Sequence, residues 1–255
     1  MHITRLKQFY TRSIAIILFF LLWDFSARFG LVDQFILPTV TQVIEAFGRV
    51  IGNGTLWGHF SLSMRRTGSG FLVAVVVAIP LGIVMGWFAK AEEYLDPLLQ
   101  LFRNTSILAM FPVFILAFGL GELSKSAIVF WGCLWAPLIN TIAGVKGVDP
   151  ILIKSARSMG ISVLGLFAKV ILPACLPEIL TGIRLAAGTG VIILVAAEML
   201  GASRGLGYWI FYAQQRYATA EMYAGIVTIS LIGVAINFIL AKLEKHIVAW
   251  KRQMQ

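Results

Sequence analysis

The chain has 255 residues, of which 59% are hydrophobic and 13% charged, and its net charge is +9. Soluble globular domains carry about 25% charged residues, so this composition excludes a largely water-facing surface and points to lipid as the main solvent. The basic excess does not indicate nucleic-acid binding: Lys and Arg form no dense run and lie mainly between apolar segments, as the positive-inside bias expects.

In chain order, Arg5, Lys7 and Arg12 precede an apolar run that continues without a small-x-small cleavage site. It reads as an uncleaved membrane helix over 13–31, within an N-terminal unit 1–36. Residues 37–66 read as an amphipathic interfacial segment. There Val43, Ile44, Phe47, Val50 and Ile51 recur at helical spacing opposite Gln42, Glu45 and Arg49, and Asn53-Gly54 and Gly58 break the pattern. Five further apolar runs follow at 67–89, 95–118, 124–146, 178–200 and 221–243. They make a core domain over 67–246, with a polar loop at 147–177 and a tail at 247–255. Gly82 and Gly86 form a GxxxG pattern that permits close helix approach. Six spans put both termini on one side. The larger share of Lys and Arg lies on that side, which makes it the cytoplasm and places the 147–177 loop there.

The loop has local signals of its own. Asp149 is a candidate N-cap, Pro150 suits the first helical position, and Gly160 can close a short helix. Ile151, Leu152, Ser155 and Met159 share one face of it, with Lys154, Arg157 and Ser158 round the rest. A second amphipathic helix carries Val163, Leu166, Phe167, Val170 and Ile171; Pro173 should end it, and Pro177 should open the fifth span. From these residues alone the loop is two short helices docked on a membrane bundle.

No nucleotide-binding GxxxxGK[ST] motif occurs, and no paired nucleophile and base or His/Asp cluster lies in the spans. Cys133 and Cys175 lack metal-ligand spacing, and His2, His59 and His246 are scattered. The chain therefore reads as holding no catalytic residue, metal or cofactor. Ionisable and polar groups inside spans are candidates for a pore or gate: Arg103 and Asn104 early in the third span, Asn140 in the fourth, Arg184 and Glu198 in the fifth; Pro112, which interrupts the third span, is a candidate beside them. Simpler roles stand beside these. Asn140 can hydrogen-bond a neighbouring helix, Arg184 can snorkel to the interface, and Glu198 can pair locally with Arg204. Gly205-Leu206-Gly207 reads as a turn in an outer loop.

The spacing Lys154-Ser155-Ala156, three residues, Gly160, nine residues, Val170-Ile171-Leu172-Pro173 resembles the signature cytoplasmic loop of ABC-importer permeases, Glu-Ala-Ala, three residues, Gly, nine residues, Ile-x-Leu-Pro. Lys for Glu, Ser for Ala and Val for Ile are departures, and the first removes a carboxylate that could pair with a partner. "LPTVTQVIEAF", "INTIAGVKGVDP" and "AAEMLGASRGLGYWI" resemble the permeases of sulfonate, taurine and nitrate/bicarbonate importers. The resemblance implies an all-α, type I (MetI-like) permease of six membrane helices. Lys154, Ser155, Ala156, Arg157, Met159, Gly160, Leu172 and Pro173 would meet a cytoplasmic ATPase that binds ATP and Mg. It also implies a substrate-binding protein outside and a second permease copy in a homodimeric or heterodimeric pore, the homodimer being the expected form. Aliphatic sulfonate or taurine is the first expected solute, nitrate or bicarbonate the second, and a vitamin precursor the alternative. A membrane scaffold or intramembrane enzyme is the reading from a different class. A secondary transporter would show internal repeats, and none is visible.

Overall fold

The computed structural model describes the backbone over residues 2–247 and side chains over residues 14–247. The side chains of Arg5, Lys7 and Arg12, and the tail beyond Ile247, lie outside the described residues. The described chain is helical: α1 (His2–Arg28), α2 (Val40–Gly52), α3 (Thr55–Trp87), α4 (Ala89–Arg103), α5 (Ile107–Phe118), α6 (Glu122–Lys146), α7 (Pro150–Ser158), α8 (Val163–Leu166), a π turn (Phe167–Ile171), α9 (Leu172–Gly201), α10 (Leu206–Gln215) and α11 (Thr219–Ile247).

Four helices among the described residues are long and apolar enough to cross a membrane: α3, α6, α9 with the segment leading into it, and α11. α4 and α5 pass only as a pair, and their axes are bent by 96°. The expected continuous span at 95–118 is thus broken at Asn104–Ser106, where Asn104 caps α4 through its Nδ2 on the Gln100 carbonyl (2.8 Å). Six spans follow only if α1 and the bent pair each count as one.

Two other boundaries differ from the sequence reading. The interfacial segment ends at Gly52. α3 then runs unbroken from Thr55, so residues 55–66 belong to a long helix. Gly58 is tolerated within it, because one glycine costs a helix only about 1 kcal/mol. Nor does Pro173 end a helix. Proline lacks an N–H and its ring clashes with the carbonyl four residues back, so the chain widens into the π turn, where the Leu172 N–H donates to the Phe167 carbonyl. α9 continues through Pro177 to Gly201.

α3, α6 and α9 form the centre. Gly82 and Gly86 on α3 approach Thr141 and Val145 on α6, while Gly70 meets Ser126 and Val129. The rising numbers on both sides mean that α3 and α6 run parallel. On α9, Gly182 meets Ala136 and Pro137, and Gly190 meets Cys133, so α9 runs antiparallel to α6. Each glycine sits where a Cβ would strike the neighbouring helix, so these helices pack backbone to backbone. α2 is held by a capping box between Thr39 and Gln42. It buries Val43, Ala46 and Val50 in a cluster with Trp209, Ala224 and Ile232, leaving Ile44 at the surface. The outward faces of α1, α3 and α11 expose Leu22, Val76 and Phe238, which suits a lipid surround.

Candidate functional site

The topology separates two ends. α6 enters the 147–177 loop at Lys146 and α9 leaves it at Leu172, so the loop caps one end of the bundle, and Glu122 and Gly201 lie at the other.

At the loop end, Asp149 accepts from the Ile151 N–H (2.8 Å) and Pro150 opens α7. Gly160 has φ +75°, and nothing lies within 4 Å of where its Cβ would be. Only the backbone conformation therefore demands glycine there. Ser162 caps α8 by accepting from the Gly165 N–H (3.2 Å). The loop seats itself through Ala156, Leu166 and Ile171, which cluster with Val145, Cys175 and Ile179. Trp87, at the end of α3, stacks edge-on against Phe167 (4.9 Å), and the Arg157 guanidinium lies 6.0 Å over the Trp87 ring. The face named from the sequence is the outward one: Ile151, Leu152 and Met159 are exposed, as are Val163 and Leu164. Lys154 and Ser155 lie on the exposed side with them, while Ala156 is buried; Leu172 is exposed and Pro173 half-buried. An apolar surface with a basic rim thus projects from the bundle.

At the opposite end lies a buried polar network. His59, Ser63 and Arg66 stand at helical spacing on one face of α3. Arg66, 3% exposed, donates from Nη1 to Glu198 Oε1 (2.7 Å) and to the Arg204 carbonyl (2.7 Å). Its Nε and Nη2 hold the two Glu122 oxygens, each at 2.6 Å. Ser63 Oγ lies 2.8 and 2.9 Å from the two Glu198 oxygens and accepts from the Leu206 N–H (2.9 Å). The Gly207 N–H donates to Glu198 Oε2 (2.9 Å), and the Gly205 N–H to His59 Nδ1 (3.0 Å). A buried carboxylate is tolerable only with such donors around it.

This geometry corrects the local pairing expected for Glu198. Its cation is Arg66, and Arg204 contributes only a carbonyl, to Arg66. Nor are residues 205–207 a turn: Gly205 is the N-cap of α10, which starts at Leu206, all three residues are buried, and a Cβ on Gly205 would collide with the Glu198 carboxylate. The sequence placed Arg66 at the end of the interfacial segment and did not single out Ser63 or Glu122. The available signal was the spacing of His59, Ser63 and Arg66 on one helical face.

The other polar candidates are scattered. Arg103 and Asn104 are exposed at the α4–α5 break, not inside a continuous span. Arg103 lines a cavity of about 250 Å³ with Glu92, Asp96, Trp135 and Lys146. Asn140 donates to the Ala136 carbonyl of its own helix (2.8 Å), not to a neighbour. Pro112 is exposed on α5. Arg184 pairs with Glu244 on α11 (2.9 Å). No group of His, Cys, Asp or Glu suited to a metal occurs among the described residues.

Residues 78–253 match the family model of the binding-protein-dependent transport system inner membrane component. This chain is a member of that family. The permease is 36% identical to the putative aliphatic sulfonates transport permease protein SsuC of Bacillus subtilis (strain 168), over 92% of this chain and 85% of that protein. It is 35% identical to the taurine transport system permease protein TauC of Escherichia coli (strain K12), over 91% and 86%. It is 32% identical to the nitrate import permease protein NrtB of Leptolyngbya laminosa, over 81% and 74%. A chain of the inward-facing MetNI methionine ABC transporter superposes with TM-score 0.62 at 17% identity, covering 82% of the permease and 98% of that chain, which shows a shared fold. The permease is thus a multi-pass membrane subunit of an importer, a transporter component and not an enzyme.

Proposed function

We propose that this permease subunit forms the membrane pathway for a small anionic solute, aliphatic sulfonate or taurine first and nitrate or bicarbonate second. The observation that supports this substrate class is the agreement of relatives named for sulfonates, taurine and nitrate across most of their length and of this chain. The exposed apolar and basic surface of α7 and α8 supports the site at which a cytoplasmic ATPase engages, with ATP and Mg held by that subunit. Closure of the ATPase would move the loop, and the Trp87–Phe167 contact would pass that motion to α3. A binding protein would deliver solute at the Glu198 end, and a second copy of the permease would complete the pathway as a homodimer.

The test is uptake of labelled taurine, an alkanesulfonate, nitrate and bicarbonate by proteoliposomes holding the permease, its ATPase and its binding protein. ATP-dependent uptake of one of these is expected. Uptake of a heterocyclic vitamin precursor alone would replace the anion reading. Orientation is tested in the same cells by reporter fusions: after Ala202 the reporter should read outside, and after Ser158 inside.

A further inference from the structure

Three successive backbone N–H groups at the start of α10 each have a side-chain acceptor: Gly205 donates to His59 Nδ1 (3.0 Å), Leu206 to Ser63 Oγ (2.9 Å) and Gly207 to Glu198 Oε2 (2.9 Å). A helix N-terminus leaves such groups without an internal partner. Here two acceptors come from α3 and one from α9, so they pin α10 to both helices. The three respond differently to acid. A serine hydroxyl stays an acceptor, and a protonated carboxyl keeps an acceptor oxygen. An imidazole that accepts at Nδ1 is neutral, with its hydrogen on Nε2. As imidazolium it carries hydrogens on both nitrogens and accepts nothing.

We propose that His59 is an acid-sensitive latch: a proton taken up by its imidazole releases the N-terminus of α10 from α3 and loosens the end of the bundle where α3, α9 and α10 meet. This end is the outer one in the transport reading above, so the proton comes from the external medium. The imidazole is half-buried; it stacks on Trp209 (6.2 Å) and tilts against Tyr208 (6.4 Å), both on α10. The 33 residues of α3 make a helix of about 50 Å against about 30 Å of hydrocarbon, so its polar first turns, with His59, reach past the lipid core towards water. The surrounding charges oppose a further cation. Arg204, on the link between α9 and α10, acts on the ring directly. Arg66 on α3 and Glu198 on α9 already pair with each other (2.7 Å), and the N-terminus of α10 adds its own partial positive charge. Protonation therefore breaks the Gly205 bond, orphans that N–H and places a cation beside these groups. Because Gly205 lies against the Glu198 carboxylate and Arg66 holds the Arg204 carbonyl, its displacement reaches the buried network. The neutral form is the latched one, so the latch is complete above about pH 7 and is lost as pH falls through about 6 to 5.

Amide hydrogen exchange over residues 203–210, read by mass spectrometry in the detergent-solubilised permease–ATPase complex, tests the latch. His59→Asn keeps an acceptor oxygen near the Nδ1 position at every pH, and comparing wild type with it at each pH cancels the intrinsic pH dependence of exchange. The two should exchange alike at about pH 7.5. At about pH 5.5, roughly one unit below the ordinary histidine value, wild type should exchange about tenfold faster in that segment and no faster in α6. His59→Phe, which keeps a ring and loses the acceptor, should exchange fast at both pH values. A ratio of wild type to His59→Asn that is the same at both would overturn the latch. If His59→Asn does not fold, His59→Phe decides: its excess over wild type should vanish at the lower pH, and an excess that persists would overturn the latch. Proteoliposome uptake separates the two conclusions. Uptake with a constant exchange ratio defeats the latch alone, and absence of any uptake with a pH-dependent ratio defeats the transport reading alone.

Discussion

Arg66 and Glu198, 132 positions apart in sequence, form an ion pair of 2.7 Å with side chains 3% and 0% exposed. The pair ties the N-terminal half of α3 to the C-terminal end of α9. Through the same guanidinium it reaches Glu122 on α6, 48% exposed. One cation thus serves a fully buried acceptor and a half-open one. Removing one partner of a buried pair costs about 3–5 kcal/mol, because the other charge is left uncompensated. Arg66→Met should therefore lower the thermal midpoint of the detergent-solubilised permease sharply or abolish folded protein. Glu122→Gln should cost only about 1 kcal/mol, since water can replace the lost contact. Equal losses in the two variants would mean that burial of Glu198 does not set the penalty.

Gly205 and Gly188 make a matched contrast. Gly205 has φ +126°, and a Cβ there would strike the Glu198 carboxylate; Gly188 lies in α9 with nothing within 4 Å of its Cβ position. Gly205→Ala should reduce folded yield by displacing the N-terminus of α10. Gly188→Ala should raise stability by about 0.5–1 kcal/mol through helix propensity. Size-exclusion yield and thermal melting in detergent read both.

At the opposite end, Gly160 joins α7 to α8 in the left-handed region with open space around it. Gly160→Asn should be tolerated better than Gly160→Val, because Asn visits that region and a β-branched residue does not. The valine variant should fold as a bundle yet hydrolyse ATP without coupled uptake when ATPase activity and uptake are measured side by side. Normal coupled uptake in Gly160→Val would remove the turn from the coupling path.

Lys154 stands exposed among Ile151, Leu152 and Met159. A basic group on that surface should meet an acidic or neutral patch on the ATPase, since like charges across an interface are costly. Lys154→Glu should weaken co-purification with the native ATPase at low salt, and the difference should shrink as salt rises and screens the contact. Equal recovery of ATPase with wild type and Lys154→Glu at low salt would take Lys154 out of the interface.

The sequence alone determined the solvent of the protein and much of its loop chemistry. A low charge content and apolar runs of membrane length are properties of composition, and the Asp149 cap, Pro150 and the positive φ of Gly160 are local events decided within a few residues. The spacing from Lys154 to Pro173 was likewise legible, because a linear signature survives without knowledge of packing. Tertiary structure decided the rest. Helical periodicity gave the face of α7 carrying Ile151 and Met159, but whether that face turns inward or outward depends on how the loop seats on α3, α6 and α9. Pro173 looked like a stop, and a π turn absorbed it. Glu198 found its cation on Arg66 and not on nearby Arg204, because a buried carboxylate takes the donors that packing brings to it, however far away they lie along the chain.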